Sequence, residues 1–286
     1  MTFLEHLGEL RSSLRRALAG YVLGVVVAGF FSEQLFVWLV QPLAAACAEA
    51  GVRPTIHFSS PVEPFWVYFK VALVAGLFLS APVLFWQLWR FVSPGLYKRE
   101  KRLVVPFALG SGLLFAAGAA FCQFVVLPLA YPFFLGFAKA KAGAFTALLG
   151  HRVEFAFGQS VEITPVFMME QVLSFAMRML LAFGLVFELP LLLSFLAYAG
   201  LVTAKGLWRW NKYAVIIAFL LGGILTPGPD ILSQCLMSLP LWGLYNLSIA
   251  VAWLLERARG SRQDSDDSNL AEDHIPAAEV RTHSLD

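Results

Sequence analysis

Residues 91–102, FVSPGLYKREKR, separate two apolar runs that are each long enough to cross a lipid bilayer. The run before them, Val71–Trp89, carries no charged residue, and neither does the run after them, Leu103–Ala138. A short Pro-Gly segment between two such runs predicts a hairpin that joins two membrane-spanning helices. The four basic residues of this hairpin predict that it lies on the cytoplasmic side of the membrane. We therefore expect an all-α membrane protein.

The composition of the whole chain agrees with a protein that crosses the membrane several times. Of its 286 residues, 59% are hydrophobic and 14% are charged, whereas soluble domains average about 25% charged residues. No small-residue cleavage site follows the first apolar run, so we expect the first span to be retained and not removed as a secretory signal. The three cysteines, Cys47, Cys122 and Cys235, have no metal-binding spacing and do not form an even set for disulfides.

The apolar runs predict a polytopic membrane protein with six transmembrane helices, of which the fifth and sixth are short. The predicted spans cover about residues 17–39, 66–91, 103–129, 171–198, 213–225 and 233–255. We expect an amphipathic cytoplasmic helix over residues 1–16, the six-helix domain over 17–256, and a disordered cytoplasmic tail over 257–286. The fifth span, Tyr213–Leu225, would cover only about 20 Å of a hydrocarbon core that is about 30 Å thick.

The distribution of basic residues predicts that both termini lie in the cytoplasm. The two predicted outer segments are residues 41–64 and 130–170. Between them, the basic residues are Arg53, Lys139, Lys141 and Arg152. The predicted inner segments hold many more, and cytoplasmic loops of membrane proteins carry such an excess.

A carboxyl group inside the fourth predicted span is the first candidate functional residue. Glu188 lies in an apolar stretch beside Pro190, where an unpaired charge would be costly. Two interpretations remain open: a protonated structural carboxyl bonded to a neighbouring helix, or a polar site for a partner or a translocated chain. Thr226, Ser233 and Gln234 form a second polar patch at the outer end of the short fifth and sixth spans, where helix capping is the alternative interpretation.

Two carboxylates on the predicted cytoplasmic side form another candidate site. Glu100 stands among the basic residues of the hairpin, and Glu9 and Arg11 lie on the polar face of the N-terminal helix. A solvated polar face is the default interpretation of the N-terminal residues. Together, however, Glu9 and Glu100 would make an acidic site for a cationic ligand, because arginine pairs bind carboxylates bidentately.

Motifs for catalysis or cofactor binding are absent from the sequence. There is no phosphate-binding loop and no dinucleotide fingerprint, and the five histidines are too scattered for a metal site. We therefore expect no enzyme activity, no cofactor, no metal ion and no nucleic-acid partner.

Two other classes of membrane protein are alternatives. In an ion-coupled small-solute transporter, Glu188 would be a proton relay and would need an ionisable residue at matching depth on another span. The first, third, fifth and sixth spans offer none, apart from Glu33 near an outer end. No internal repeat is visible either, although many secondary transporters have one. A scaffold for other membrane proteins stays open.

Five sequence blocks resemble the TatC family, the core subunit of the twin-arginine (Sec-independent) protein translocase. They are FLEHLGELR at residues 3–11, SPVEPF at 60–65, the segment 87–102, GLVFELP at 184–190 and the segment 226–234. They occur in family order across nearly the whole chain. The resemblance implies a protein that recognises twin-arginine signal peptides of folded precursors at the cytoplasmic face. It also implies TatA-like and TatB-like single-span partners and transport driven by the proton-motive force.

The resemblance also assigns residues to roles. The positions that match signal-peptide contacts are Glu100, Phe91, Glu9 and Arg11. The positions that match the intramembrane polar site for a partner helix are Glu188, Thr226 and Gln234. It further implies a multi-pass protein of the bacterial cytoplasmic (inner) membrane that forms homo- or hetero-oligomers. Two features depart from the family: the outer segment 130–170 is longer than usual, and Asn246 stands where an acidic residue is common.

Overall fold

The chain folds almost entirely into helices, as predicted. A computed structural model describes residues 3–92, 104–139, 165–225 and 231–272. Its helices are α1 (Phe3–Phe30), α2 (Ser32–Glu49), α3 (Glu63–Val92), α4 (Val104–Phe121), α5 (Leu127–Lys139), α6 (Met169–Phe187), α7 (Leu189–Tyr198), α8 (Ala204–Leu225) and α9 (Ile231–Glu272). A π-helical turn, Cys122–Val126, joins α4 to α5. Two short strands, β1 (Ile56–His57) and β2 (Phe167–Met168), pair in parallel.

Within the described residues, five stretches are long and apolar enough to cross a membrane. They are Leu10–Phe30, Glu63–Phe91, Val105–Gly136, Met169–Tyr198 and Met237–Leu254. The prediction of a helical protein with several membrane spans is therefore confirmed. Helix α8 is not among the five, because Lys205, Arg209 and Lys212 occupy its first half. A sixth span through α8, and the placement of both termini in the cytoplasm, stay predictions.

The most extensive contact between two helices is the one between α1 and α3. Glycines make their close approach possible. A Cβ atom on Gly24 would lie 2.7 Å from the carbonyl oxygen of Gly76, and one on Gly76 would lie 2.6 Å from the Cα of Val25. Small residues at such crossing points let membrane helices pack backbone to backbone.

Contacts between elements define two ends of the bundle. At the hairpin end, the Trp89 ring of α3 packs against Phe107 of α4 and Phe195 of α7, with ring centroids 5.3 and 4.7 Å apart. At the strand end, β1 pairs with β2, and the Glu63 carboxylate at the start of α3 accepts a 2.9 Å hydrogen bond from the backbone N–H of Glu170 in α6. The predicted hairpin itself, residues 93–103, lies outside the described residues.

The first predicted span has the wrong boundaries. Helix α1 runs without interruption from Phe3 through residue 16 into the membrane-spanning part, so the predicted N-terminal helix is not a separate element. The chain then turns at Phe31, and the stretch up to residue 39 belongs to the next helix, α2. Leu39, Leu43 and Cys47 of α2 are buried in the core. Most of the apolar residues that extended the predicted span therefore pack in the core, namely Leu35, Phe36, Trp38 and Leu39.

Two further boundaries differ from the prediction. The third span continues through the π-helical turn into α5, so residues 130–139 of the predicted outer segment are helical. Residues 140–164 lie outside the described residues. Helix α9 continues to Glu272, so residues 257–272 of the tail that was expected to be disordered are helical. Residues 273–286 are not described.

Candidate functional site

Glu188 lies at the junction of two helices. Helix α6 ends at Phe187 and α7 begins at Leu189. Pro190, at the start of α7, has no N–H to donate to a carbonyl one turn earlier, which interrupts the hydrogen-bond ladder at this position. The backbone N–H of Glu188 donates instead to the Leu185 carbonyl oxygen at 3.1 Å, which tightens the last turn of α6. The predicted continuous fourth span is therefore two helices with the carboxyl group at their break.

A chain of polar contacts connects Glu188 to the hairpin end of α3. The indole N–H of Trp89 donates to the Ser111 hydroxyl oxygen at 3.0 Å. The Ser111 hydroxyl and the backbone N–H of Phe115 in turn lie next to the Glu188 carboxyl group and can donate to it. Its Oε1 is buried and has no hydrogen-bond partner among the described residues. Since buried polar atoms are nearly always paired, this oxygen can accept one more donor or carry a proton.

Trp89 is fixed by packing as well as by this hydrogen bond. It is 7% exposed and contacts aromatic rings from α4 and α7. Phe91 follows two residues later, in the last turn of α3, and is half-buried. The structure thus brings the base of the predicted hairpin and Glu188 into one connected part of the fold. These are the two regions that the sequence analysis treated as separate candidate sites.

The remaining residues of the predicted signal-peptide site are described only in part. Arg11 is exposed on α1. Glu9 lies on the same helix, but its side chain is outside the described residues, and so is the whole of Glu100. The approach of Glu9 to Glu100 therefore stays a prediction.

Gln234 joins the two short spans to each other. Its side-chain amide donates a 2.7 Å hydrogen bond to the carbonyl oxygen of Phe219 in α8. A Cβ atom on Gly223 would lie 3.0 Å from the same amide nitrogen, so glycine leaves room for this contact. Thr226, the other predicted member of this patch, lies outside the described residues. The amide of Gln234 therefore holds α8 against α9.

Asn246, the position that departs from the family, belongs to a second polar contact between α8 and α9. Its side-chain oxygen accepts a 3.1 Å hydrogen bond from the Asn211 amide, and the Asn211 oxygen accepts one from the Trp242 indole at 2.9 Å. At the hairpin end, the Glu256 carboxylate accepts a 2.7 Å bond from the backbone N–H of Ala204. These bonds fix the basic first half of α8 against α9.

Sequence reasoning missed two members of the Glu188 chain, Trp89 and Ser111. Ser111 is 1% exposed and lies within an uncharged run, where a polar side chain needs a partner. The presence of Ser111 in this uncharged run was therefore the sequence signal that could have identified it. Its partners come from two other helices, however, and one sequence gives no means of assigning them.

Comparison with known proteins agrees with this architecture. The family described as Sec-independent protein translocase protein (TatC) matches residues 5–240. The chain belongs to the TatC family. The predicted family is therefore confirmed, and with it a transport role in a membrane complex, the Tat translocase.

Individual TatC proteins match over most of their length. The TatC protein of Desulforapulum autotrophicum is 41% identical over 94% of this chain and 89% of its own. The TatC protein of Aquifex aeolicus is 36% identical over 91% of this chain and 98% of its own. A crystal structure described as the twin-arginine translocase receptor TatC is 36% identical, with a TM-score of 0.71 over 88% of this chain and 99% of that one. The relatives are named as translocase components, which is a role in transport and not in catalysis.

Proposed function

We propose that this TatC-family protein is the receptor and core component of a twin-arginine translocase in the bacterial cytoplasmic membrane. In this proposal it binds twin-arginine signal peptides at the hairpin end and exports folded proteins with TatA-like and TatB-like partners, driven by the proton-motive force. The observation that carries the proposal is the similarity, over nearly all of its length, to a crystal structure of a twin-arginine translocase receptor.

The proposed topology has six spans, with α8 as the fifth. Lys205, Arg209 and Lys212 in the first half of α8 favour its placement with the hairpin on the cytoplasmic side. The alternation of the helices then puts both termini on that side and the paired strands on the other. The hydrogen bond from the backbone N–H of Ala204 to the Glu256 carboxylate supports the same arrangement, because it joins the start of the fifth span to the end of the sixth.

The proposed signal-peptide site combines Glu100 and Glu9 with Phe91 and Arg11. Two adjacent arginines of a signal peptide need carboxylates at the membrane surface, and bidentate pairing adds orientation to the attraction. Phe91 is placed at the end of α3, where the hairpin begins, and can contact the apolar part of the peptide. The role of each residue here is a proposal by resemblance.

The proposed partner-helix site consists of Glu188, Thr226 and Gln234. The Oε1 of Glu188 has no hydrogen-bond partner among the described residues, and this supports the proposal, because a polar group from a partner helix would satisfy that oxygen within the membrane. The chain from Glu188 through Ser111 to Trp89 suggests how a helix bound there could affect the hairpin end.

The competing function, ion-coupled transport of a small solute, is not favoured. It requires an ionisable group next to Glu188, but the hydrogen-bond partners that the described residues offer are a hydroxyl and a backbone N–H. The relatives are all named as protein translocase components.

Depletion of the protein from its own cell tests the proposal. We expect folded precursors with twin-arginine signals to accumulate in the cytoplasm, while proteins exported unfolded through other routes leave the cell normally. The measurement is the distribution of both classes between cytoplasm and exported fraction. If the twin-arginine precursors were still exported at their normal rate, the proposed function would be wrong.

A further inference from the structure

Arg178 is a charged residue within a membrane-spanning stretch. It lies in the stretch Met169–Tyr198, nine residues after the first residue of α6, which is about 13 Å along the helix axis. Its flanking residues, Met177 and Met179, are buried, whereas Arg178 itself is exposed. The side chain therefore faces away from the protein core at a level where the surroundings are lipid.

The guanidinium group of Arg178 makes one hydrogen bond to the protein in the described part of the chain. Its Nε donates to the carbonyl oxygen of Ser174, one turn nearer the strand end, at 3.1 Å. No carboxylate lies within 4.0 Å of it among the described residues; the ion pair found there joins Lys70 to Glu170 at 2.5 Å. The two terminal nitrogens of Arg178 are thus available to a ligand, and they carry a positive charge that no described carboxylate neutralises.

The surface around Arg178 is a groove between α3 and α6 with a volume of about 560 Å³. Its polar part, nearer the strand end, is formed by Lys70, Glu170, Gln171 and Ser174, in addition to Arg178. The Glu170 carboxylate accepts hydrogen bonds from both Lys70 and Ser174, so its charge is already matched. Among the described residues, Arg178 is therefore the positive charge of this groove that no carboxylate matches.

The deeper part of the groove is apolar. Leu73 and Val74 of α3 and Met177 and Leu181 of α6 line it. Val74 and Met177 also line a neighbouring apolar cavity of about 370 Å³. The Arg178 side chain reaches back one turn toward the strand end, to the Ser174 carbonyl oxygen, so the charged and polar groups of the groove lie nearer its strand end and its hydrocarbon surface lies toward the middle of the membrane.

We propose that this groove binds one anionic phospholipid of the leaflet at the strand end, with its phosphate on Arg178 and an acyl chain along Val74 and Met177. A guanidinium binds phosphate through two parallel N–H donors, which is the pairing that the two terminal nitrogens of Arg178 can provide. The order of polar and apolar groups in the groove matches the order of headgroup and acyl chain in a phospholipid.

An anionic lipid fits the charge of the site better than the alternatives. A zwitterionic lipid would bring a second positive charge next to Arg178 and Lys70. A carboxylate on a partner helix would have to be carried into the membrane, where ionised side chains are costly and rare. A lipid phosphate is already present at the membrane surface and needs only the side chain to extend toward it.

Native mass spectrometry of the purified full-length protein with added phosphatidylglycerol tests the proposal. We expect one phosphatidylglycerol to bind more tightly than phosphatidylcholine with the same acyl chains. Arg178→Gln should weaken phosphatidylglycerol binding by about fivefold, the value of one basic residue near an anionic membrane surface. Arg178→Lys, which keeps the charge but loses the bidentate geometry, should show an intermediate loss.

Arg53→Gln is the matched control, because Arg53 is an exposed arginine in the loop between α2 and β1. This variant should bind phosphatidylglycerol as the unaltered protein does. Equal binding by the Arg178→Gln variant would overturn the proposal, and so would equal binding of phosphatidylcholine. Loss of a co-purifying membrane protein from Arg178→Gln, with lipid binding unchanged, would also overturn it and would assign the groove to a protein partner.

Discussion

Gln123 satisfies a backbone group that Pro42 leaves without its helical partner. In α2 the carbonyl oxygen of Trp38 would normally accept the N–H of residue 42, but proline has none. The side-chain amide of Gln123, in the π-helical turn after α4, donates to this oxygen at 2.6 Å. Gln123 is 2% exposed, so the bond is shielded from water. One glutamine therefore allows α2 to continue past a proline and attaches it to the third span.

Replacement of Gln123 by methionine should destabilise the protein. Methionine has a similar shape but cannot donate, so the Trp38 carbonyl oxygen would be buried without a partner at a cost of about 1–3 kcal/mol. In a Pro42→Ala background the restored N–H of residue 42 should bond Trp38, and the same replacement should then cost little. Thermal unfolding of the four proteins in detergent measures this coupling.

Gln87→Met is the control for this double-mutant cycle. Gln87 is also buried in a span and, like Gln123, has an Oε1 without a hydrogen-bond partner in the described part of the chain, but the bond to the Trp38 carbonyl oxygen comes from Gln123. Replacement of Gln87 by methionine should change the stability in thermal unfolding by the same small amount whether residue 42 is proline or alanine. Equal destabilisation by Gln123→Met in both backgrounds would show that the bond to Trp38 does not account for the role of Gln123.

The proposed binding of the two signal-peptide arginines depends on Glu100. Its replacement by glutamine should weaken the binding of twin-arginine precursors by roughly 2–5 kcal/mol, the usual effect of removing one partner of a buried charge pair. Site-specific crosslinking of a precursor to purified membranes provides the measurement. Glu33→Gln is a suitable control, because Glu33 is an exposed carboxylate at the start of α2, which the proposed topology puts at the outer end of the first span. Undiminished crosslinking to the Glu100→Gln variant would remove Glu100 from the site.

At the scale of the helices, the sequence predicts the spans better than their ends. The short uncharged part of α8 has a local cause, the cluster of basic residues before it. The break at Glu188 also has one, Pro190, but the fourth span was predicted to be continuous. The predicted hairpin lies outside the described residues. The turn at Phe31 was missed although the polar residues Ser32, Glu33 and Gln34 follow it directly, because apolar residues resume at Leu35. The first span was therefore predicted to be too long.

The contacts of the candidate site could also be predicted only in part from the sequence. The depth of Glu188 follows from its apolar neighbours, and its need for partners follows from its depth. Its partners Ser111 and Phe115, however, come from α4, and Trp89 adds a link from α3. The pairing of Gln234 with the Phe219 carbonyl oxygen likewise depends on how closely α8 and α9 approach each other. Sequence alone identifies such polar residues but not which of them meet.

For the molecule as a whole, the membrane spans differ in length, and this difference should change the local thickness of the bilayer. The third span, Val105–Gly136, is long, whereas the uncharged part of α8 covers only about 20 Å. A bilayer meets such a shortfall by local thinning, at a cost of a fraction of a kcal/mol per Å. We expect the membrane to be thinnest beside α8 and α9, next to Gln234, and we infer that this thinning assists passage or seats a partner helix.

Four leucines inserted between Tyr213 and Ala214 test this idea. They lengthen the uncharged part of α8 by about 6 Å and add little more than one helical turn, so the contact of Gln234 with α8 keeps its register. Relief of the mismatch should lower the rate of precursor transport about tenfold, because about 6 Å at a fraction of a kcal/mol per Å exceeds 1 kcal/mol. Binding of precursors at the hairpin end should not change.

The insertion also moves Asn211 out of register with Asn246. The loss of the hydrogen bond between these two side chains therefore needs its own control. Asn211→Ala removes the same hydrogen bonds to Asn246 and Trp242 without adding length. If length is what matters, membrane vesicles that carry this variant should transport precursors at nearly the normal rate, while those that carry the insertion should not. Equal transport by the insertion variant and the unaltered protein would show that the short fifth span has no part in translocation. Equal loss in both variants would assign the effect to the Asn211 contacts, because α8 must then be held in register against α9 for transport to proceed.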